Sequence, residues 1–106
     1  MSLRIAIRPR AVRDIYQAAR GLARTSKRTA RRFADEVYAT LESLASSPEI
    51  GTLWESDGGN KAELRCWPVK RYKRYLIFYR SIGNGIDVMR VLHASRDIEN
   101  LLAEED

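Results

Sequence analysis

The chain has little of what staples, ligates or spans. Among its 106 residues there is one cysteine, Cys66, and one histidine, His93. A lone cysteine forms no intrachain disulfide, and one Cys with one His cannot supply the four ligands of a structural zinc site. The longest apolar runs are stretches such as Leu76–Tyr79, far short of the ~20 residues that cross a membrane. The opening Met-Ser-Leu-Arg-Ile-Ala-Ile-Arg has no uninterrupted apolar core, which argues against a secretory signal. Phosphate-loop and dinucleotide patterns are missing, because Gly83-Asn84-Gly85 lies between two expected strands and not before a helix N-terminus. No repeat or low-complexity segment is visible. The expectation is a cytoplasmic, cofactor-free protein with no membrane anchor and no metal.

What the chain does have is positive charge and enough apolar residues for one core. Lys and Arg number 19 against 14 Asp and Glu, a formal net charge of +5, and 44% of residues are hydrophobic. That composition fits a single globular domain over residues 1–106. The charge comes in blocks: ten basic and three acidic side chains in 1–36, none and four in 37–60, seven and one in 61–80, two and six in 81–106. The first block reads as a solvated helix face. In the second, Arg65, Lys70, Arg71, Lys73, Arg74 and Arg80 are interleaved with Trp67, Tyr72, Tyr75 and Tyr79, and cations beside rings suit a contact surface.

Periodicity outlines the elements. Leu3, Ile5 and Ile7 alternate with shorter or charged neighbours, as in a half-buried strand. Pro9 then opens a helix, along which Ala11, Ile15, Ala18, Ala19 and Leu22 recur at helical spacing. Thr25 or Ser26 caps a second helix whose stripe is Ala30, Phe33, Ala34, Val37, Leu41, Leu44 and Ala45, ended by Ser46-Ser47-Pro48. Residues 48–62 read as a loop. Glu63–Trp67, Tyr75–Arg80 and Ile86–His93 read as strands, the last two joined by a hairpin at Ser81–Gly85. Asp97–Leu102 fits a short helix with a frayed Ala-Glu-Glu-Asp end. The order β-α-α-β-β-β-α predicts an α+β fold, a helical hairpin packed on one face of a small, curved, mainly antiparallel sheet.

Chemistry is harder to place. A nucleophilic triad needs nucleophile, base and orienting group; only Cys66 and His93 are of the right types, and Cys66 reads as a small apolar strand residue. His93, at the end of an apolar strand, reads as a structural hydrogen-bonding residue, with a general-base role as the alternative.

Taken in order, several segments resemble the ParE branch of the RelE/ParE toxin superfamily over nearly the whole chain. They are Ala11-Val12-Arg13-Asp14-Ile15, Ala34 to Leu44 leading into Ser47-Pro48-Glu49-Ile50-Gly51, Tyr75-Leu76-Ile77-Phe78-Tyr79-Arg80, and, most specifically, Ile86-Asp87-Val88-Met89-Arg90-Val91-Leu92-His93-Ala94-Ser95-Arg96-Asp97, closing with Leu101-Leu102. The resemblance implies the toxin of a bacterial type II toxin–antitoxin pair, with growth arrest and plasmid stabilisation as its effects. Its target would be DNA gyrase, and a ParD-like antitoxin would neutralise it in a hetero-oligomer.

The RelE-like sister branch cleaves messenger RNA on the ribosome, and a shared fold does not decide between the two. Metal-free RNA cleavage needs cations on the transition-state phosphate and an acid–base group. Where RelE-like toxins carry those residues, this chain offers Glu63-Leu64-Arg65, Leu76 and Leu101 or Leu102, so only Arg65 and Arg96 match. The leading expectation is therefore a non-enzymatic gyrase inhibitor whose open sheet face and terminal segment present Arg65, Lys70, Arg71, Lys73, Arg74 and Arg96. The alternatives are an mRNA interferase using Arg65, His93 and Arg96, or a degenerate toxin that only binds antitoxin. An acidic, partly disordered antitoxin segment is expected on Ile15, Ala19, Leu22, Phe33 and Val37, although most of these are also expected core.

Overall fold

The computed structural model describes residues 2–54 and 63–104. Strand β1 is Arg4–Ile7, helix α1 Pro9–Ala23 and helix α2 Lys27–Ser46. A single 3₁₀ turn at Pro48–Ile50 leads to β2, Thr52–Leu53; β3 is Arg65–Val69, β4 Tyr72–Ile82, β5 Gly85–His93 and α3 Ile98–Ala103. The α+β architecture and helical hairpin are as expected. One strand is additional: Thr52–Leu53 falls within the stretch read as loop, where two residues are too few to show a period. The rest of that loop reading, 55–62, and the frayed end at 105–106 lie outside the described residues.

Each helix begins where its local chemistry dictates. Pro9 occupies the first turn of α1, where its missing N–H costs nothing. At α2 it is Ser26, and not Thr25, that caps, its Oγ accepting the Thr29 N–H at 3.1 Å.

The five strands form one sheet in the order β1-β5-β4-β3-β2. β1 runs parallel to β5, and every other pair is antiparallel. Both helices cover one face. Fully buried Phe33, Val37, Leu41 and Leu44 of α2 and Ala11 of α1 pack with Ile77, Tyr79, Ile86 and Val88 of the sheet, each large side chain contributing roughly 1.5–3 kcal/mol by leaving water. Gly85 lets β1 come alongside, since a Cβ there would collide with the Arg4 backbone.

β1 stops at Ile7, opposite Val88, so among the described residues no strand lies beside the outer edge of β5 from Met89 to His93. There α1 substitutes with a side chain. Asp14 Oδ2 accepts the Val91 N–H at 3.0 Å and the Arg90 Nε–H at 2.7 Å, while Oδ1 accepts from Arg90 Nη2 at 3.0 Å. Arg90 Nη1 also donates to the Leu101 carbonyl at 3.0 Å. One nearly buried guanidinium thus ties β5 to α1 and α3.

Candidate functional site

The expected contact residues fall into three places. Phe33 and Val37 are fully buried and Ile15 is 6% exposed, all within the core. Their apolar stripe is spent on the sheet, so these three expected contact residues are core and not exposed surface. Ala19 and Leu22 are half-buried at the rim of the same core.

Arg65 is not on the open sheet face. It stands opposite Tyr79, and cross-strand partners share a face, so it lies on the helix side. Its Nη1 donates to the carbonyls of Gly51 at 2.7 Å and Glu49 at 3.2 Å, and Nη2 lies 3.5 Å from Glu63 Oε1. From the other flank, the Tyr79 hydroxyl donates to the Pro48 carbonyl at 2.6 Å and accepts the Gly51 N–H at 2.9 Å. Burial pushes the Tyr79 phenol above its ordinary value, partly offset by that Gly51 bond and by Arg65. The Ser47–Gly51 motif is therefore a turn held by a tyrosine and an arginine.

Lys70, Arg71, Lys73, Arg74 and Arg96 gather at the opposite end of the sheet, all exposed. The first four sit on and just past the β3–β4 turn, where Arg71 adopts φ +70° and pairs with Glu36 at 2.9 Å. The Ala94 N–H donates to the Arg74 carbonyl at 2.7 Å, which places the start of β4 against the segment carrying Arg96. Arg65 is remote from this group: Tyr79 lies four positions along β4 from Tyr75, the partner of His93, a distance of about 13 Å.

His93 is held by its own turn. Its Nδ1 accepts the Ser95 N–H at 3.1 Å and lies 2.8 Å from Ser95 Oγ, and its ring meets Tyr75 edge-on at 4.9 Å. With Arg96, Gln17, Gly21, Leu22 and Tyr75 it lines a groove of about 410 Å³ beside α1. Cys66 is part-buried, and burial pushes its thiol up to about 11, the opposite of an activated nucleophile.

The rings interleaved with the basic residues turn inward. Tyr72 and Tyr75 pack edge-on against Phe33 with centroids 5.4 and 4.8 Å away, and Trp67 rests on the core. Half-buried on the core, these rings anchor the strand that displays the cations, and Tyr75 also lines the groove. The Asp14–Arg90 pair, in contrast, was not singled out in the sequence although both residues lie in its most recognisable segments. Among the described residues no group of His, Cys, Asp or Glu could hold a metal ion, and no helix is long and apolar enough to cross a membrane.

A helical hairpin on a mixed sheet, with a pinned turn at one end and concentrated charge at the other, defines a small α+β fold. Residues 5–98 match the family described as the ParE toxin of the type II toxin–antitoxin system, parDE, and the chain belongs to that family. No curated protein matches it. Membership makes the chain a toxin-family protein with an antitoxin as its implied partner.

Proposed function

We propose that the chain arrests growth by binding DNA gyrase in the cytoplasm without cleaving a substrate, and that a ParD-like antitoxin neutralises it. The observation that carries this reading is the dispersal of the groups RNA cleavage would need. Arg65 is committed to the Gly51 and Glu49 carbonyls, about 13 Å along the sheet from His93. Acid–base catalysis requires its groups within hydrogen-bond reach of one reacting centre. The cations that remain for a target are Lys70, Arg71, Lys73, Arg74 and Arg96.

For the antitoxin, an acidic amphipathic segment suits the helical hairpin. Ala19 and Leu22 stand at the core rim, and Val12, Tyr16 and Tyr38 are 49%, 63% and 46% exposed on the same two helices. Arg20 lies over the Tyr16 ring at 5.8 Å, a cation beside an apolar anchor. One observation favours the interferase reading instead: His93 and Arg96 line one groove. Expression of His93→Ala without antitoxin separates the two. Full growth arrest supports the inhibitor; loss of arrest in a folded variant supports the interferase.

A further inference from the structure

The two basic blocks, distant in sequence, are folded onto one pole. α1 ends and α2 begins there, because Phe33 of α2 packs on Tyr72 and Tyr75 at the start of β4, and Gly21 and Leu22 of α1 share the groove with Tyr75, His93 and Arg96. The helix layer contributes Arg20, Arg24, Lys27, Arg28, Arg31 and Arg32; the sheet layer contributes Lys70, Arg71, Lys73, Arg74 and Arg96. All eleven are exposed. Besides the Asp14–Arg90 pair, whose charges cancel and whose Asp14 lines the groove, the acids nearby are Asp35, Glu36, which pairs with Arg71, and Asp97, which accepts from Asn100. A pole carrying eleven cations and three carboxylates has a local charge of +8 in a chain whose total is +5. Such concentration creates a strong attractive field for a polyanion.

We infer that this pole is a docking surface for the phosphate backbone of duplex DNA. The cations lie in two layers, one on the helices and one on the sheet, and a helix with its side chains is ~10–12 Å across. That breadth is comparable to the width of a duplex major groove, ~12 Å, so the two layers can reach phosphates of both strands. Single-stranded nucleic acid is the poorer fit, because strand binding without sequence preference relies on exposed rings that stack bases. Here Tyr72 and Tyr75, the rings among the sheet cations, are engaged with Phe33, and the exposed Tyr16 ring has Arg20 lying over it. The contact is with phosphates alone, hence independent of base sequence and strongly weakened by salt. It does not rest on the gyrase reading, and either can hold without the other.

The test is fluorescence anisotropy of the full chain with a labelled mixed-sequence 20-base-pair duplex across a salt series. About five phosphate contacts give a slope of log affinity on log salt near −4.5. Lys27→Glu/Arg28→Glu on the helix layer, and separately Lys73→Glu/Arg74→Glu on the sheet layer, weaken binding at low salt by more than about tenfold and each reduce the slope by about 2. Arg4→Glu/Arg13→Glu makes the same change in net charge away from the pole and has a much smaller effect, because salt screens beyond about 10 Å. Circular dichroism confirms that each variant is folded. The inference is overturned by absence of duplex binding at low salt, by equal losses in all three pairs, by tighter binding of single-stranded RNA than of duplex, or by a pole that binds poly-glutamate but not DNA.

Discussion

The hydroxyl of Tyr79 and the backbone of Gly51 lock each other in place, the Gly51 N–H donating to Tyr79 Oη at 2.9 Å while that hydroxyl donates to the Pro48 carbonyl at 2.6 Å. A Cβ at Gly51 would collide with the phenol. Tyr79→Phe strands a buried N–H and is expected to cost about 1–3 kcal/mol, and Gly51→Ala a similar amount through overpacking. In the double variant the losses fall short of additive, since the closest colliding atom, the hydroxyl, is gone although two ring carbons stay tight. Urea unfolding of the four proteins measures all three terms.

The Asp14–Arg90 pair makes a different prediction. The two side chains are only 9% and 11% exposed, so Asp14→Ala removes the closest carboxylate of a nearly buried guanidinium and should cost about 3 kcal/mol or more. Arg90→Lys keeps the charge but loses the two-pronged contact and the bond to Leu101, and should not restore wild-type stability. Thermal melts of the two variants test the claim. A melting temperature unchanged in Asp14→Ala would contradict it.

Cys66 should react slowly. With its thiol at about 11 against 9.0 when unfolded, its thiolate fraction at pH 8 is far smaller in the folded chain, and this outweighs the greater nucleophilicity of a more basic thiolate. Modification by an aromatic disulfide is expected to be at least about tenfold slower in the native protein than in urea. The sign also fixes a pH window. A raised folded value contributes stability that is complete below pH 9 and lost as pH rises toward about 11. Cys66→Ala should flatten part of that decline in denaturant midpoints.

Ser26→Ala should cost about 1 kcal/mol by leaving the Thr29 N–H without its cap. Thr25→Ala should be nearly silent, and comparing the two midpoints checks the assignment.

These relationships show where sequence reading succeeds. The stripes of α1 and α2 and the core of β4 and β5 were legible because period and capping are local properties. The partner of β1 was not, since β1 and β5 lie at opposite ends of the chain and Gly85 permits their approach only in three dimensions. Arg65 looked free because nothing in Glu63-Leu64-Arg65 reveals the carbonyls of Glu49 and Gly51 that occupy it. Phe33 and Val37 were rightly apolar but are consumed by the core, whereas Val12, Tyr16 and Tyr38, off the main stripe, stay exposed. The first basic block read as an ordinary solvated face until the hairpin set it beside the second.

Gyrase inhibition is read directly by placing the purified chain in a gyrase supercoiling assay and, in parallel, in a translating ribosome extract probed for mRNA cleavage. The expected result is loss of supercoiled product, restored by the antitoxin, with the message intact. Unimpaired supercoiling together with cleaved message would contradict gyrase inhibition.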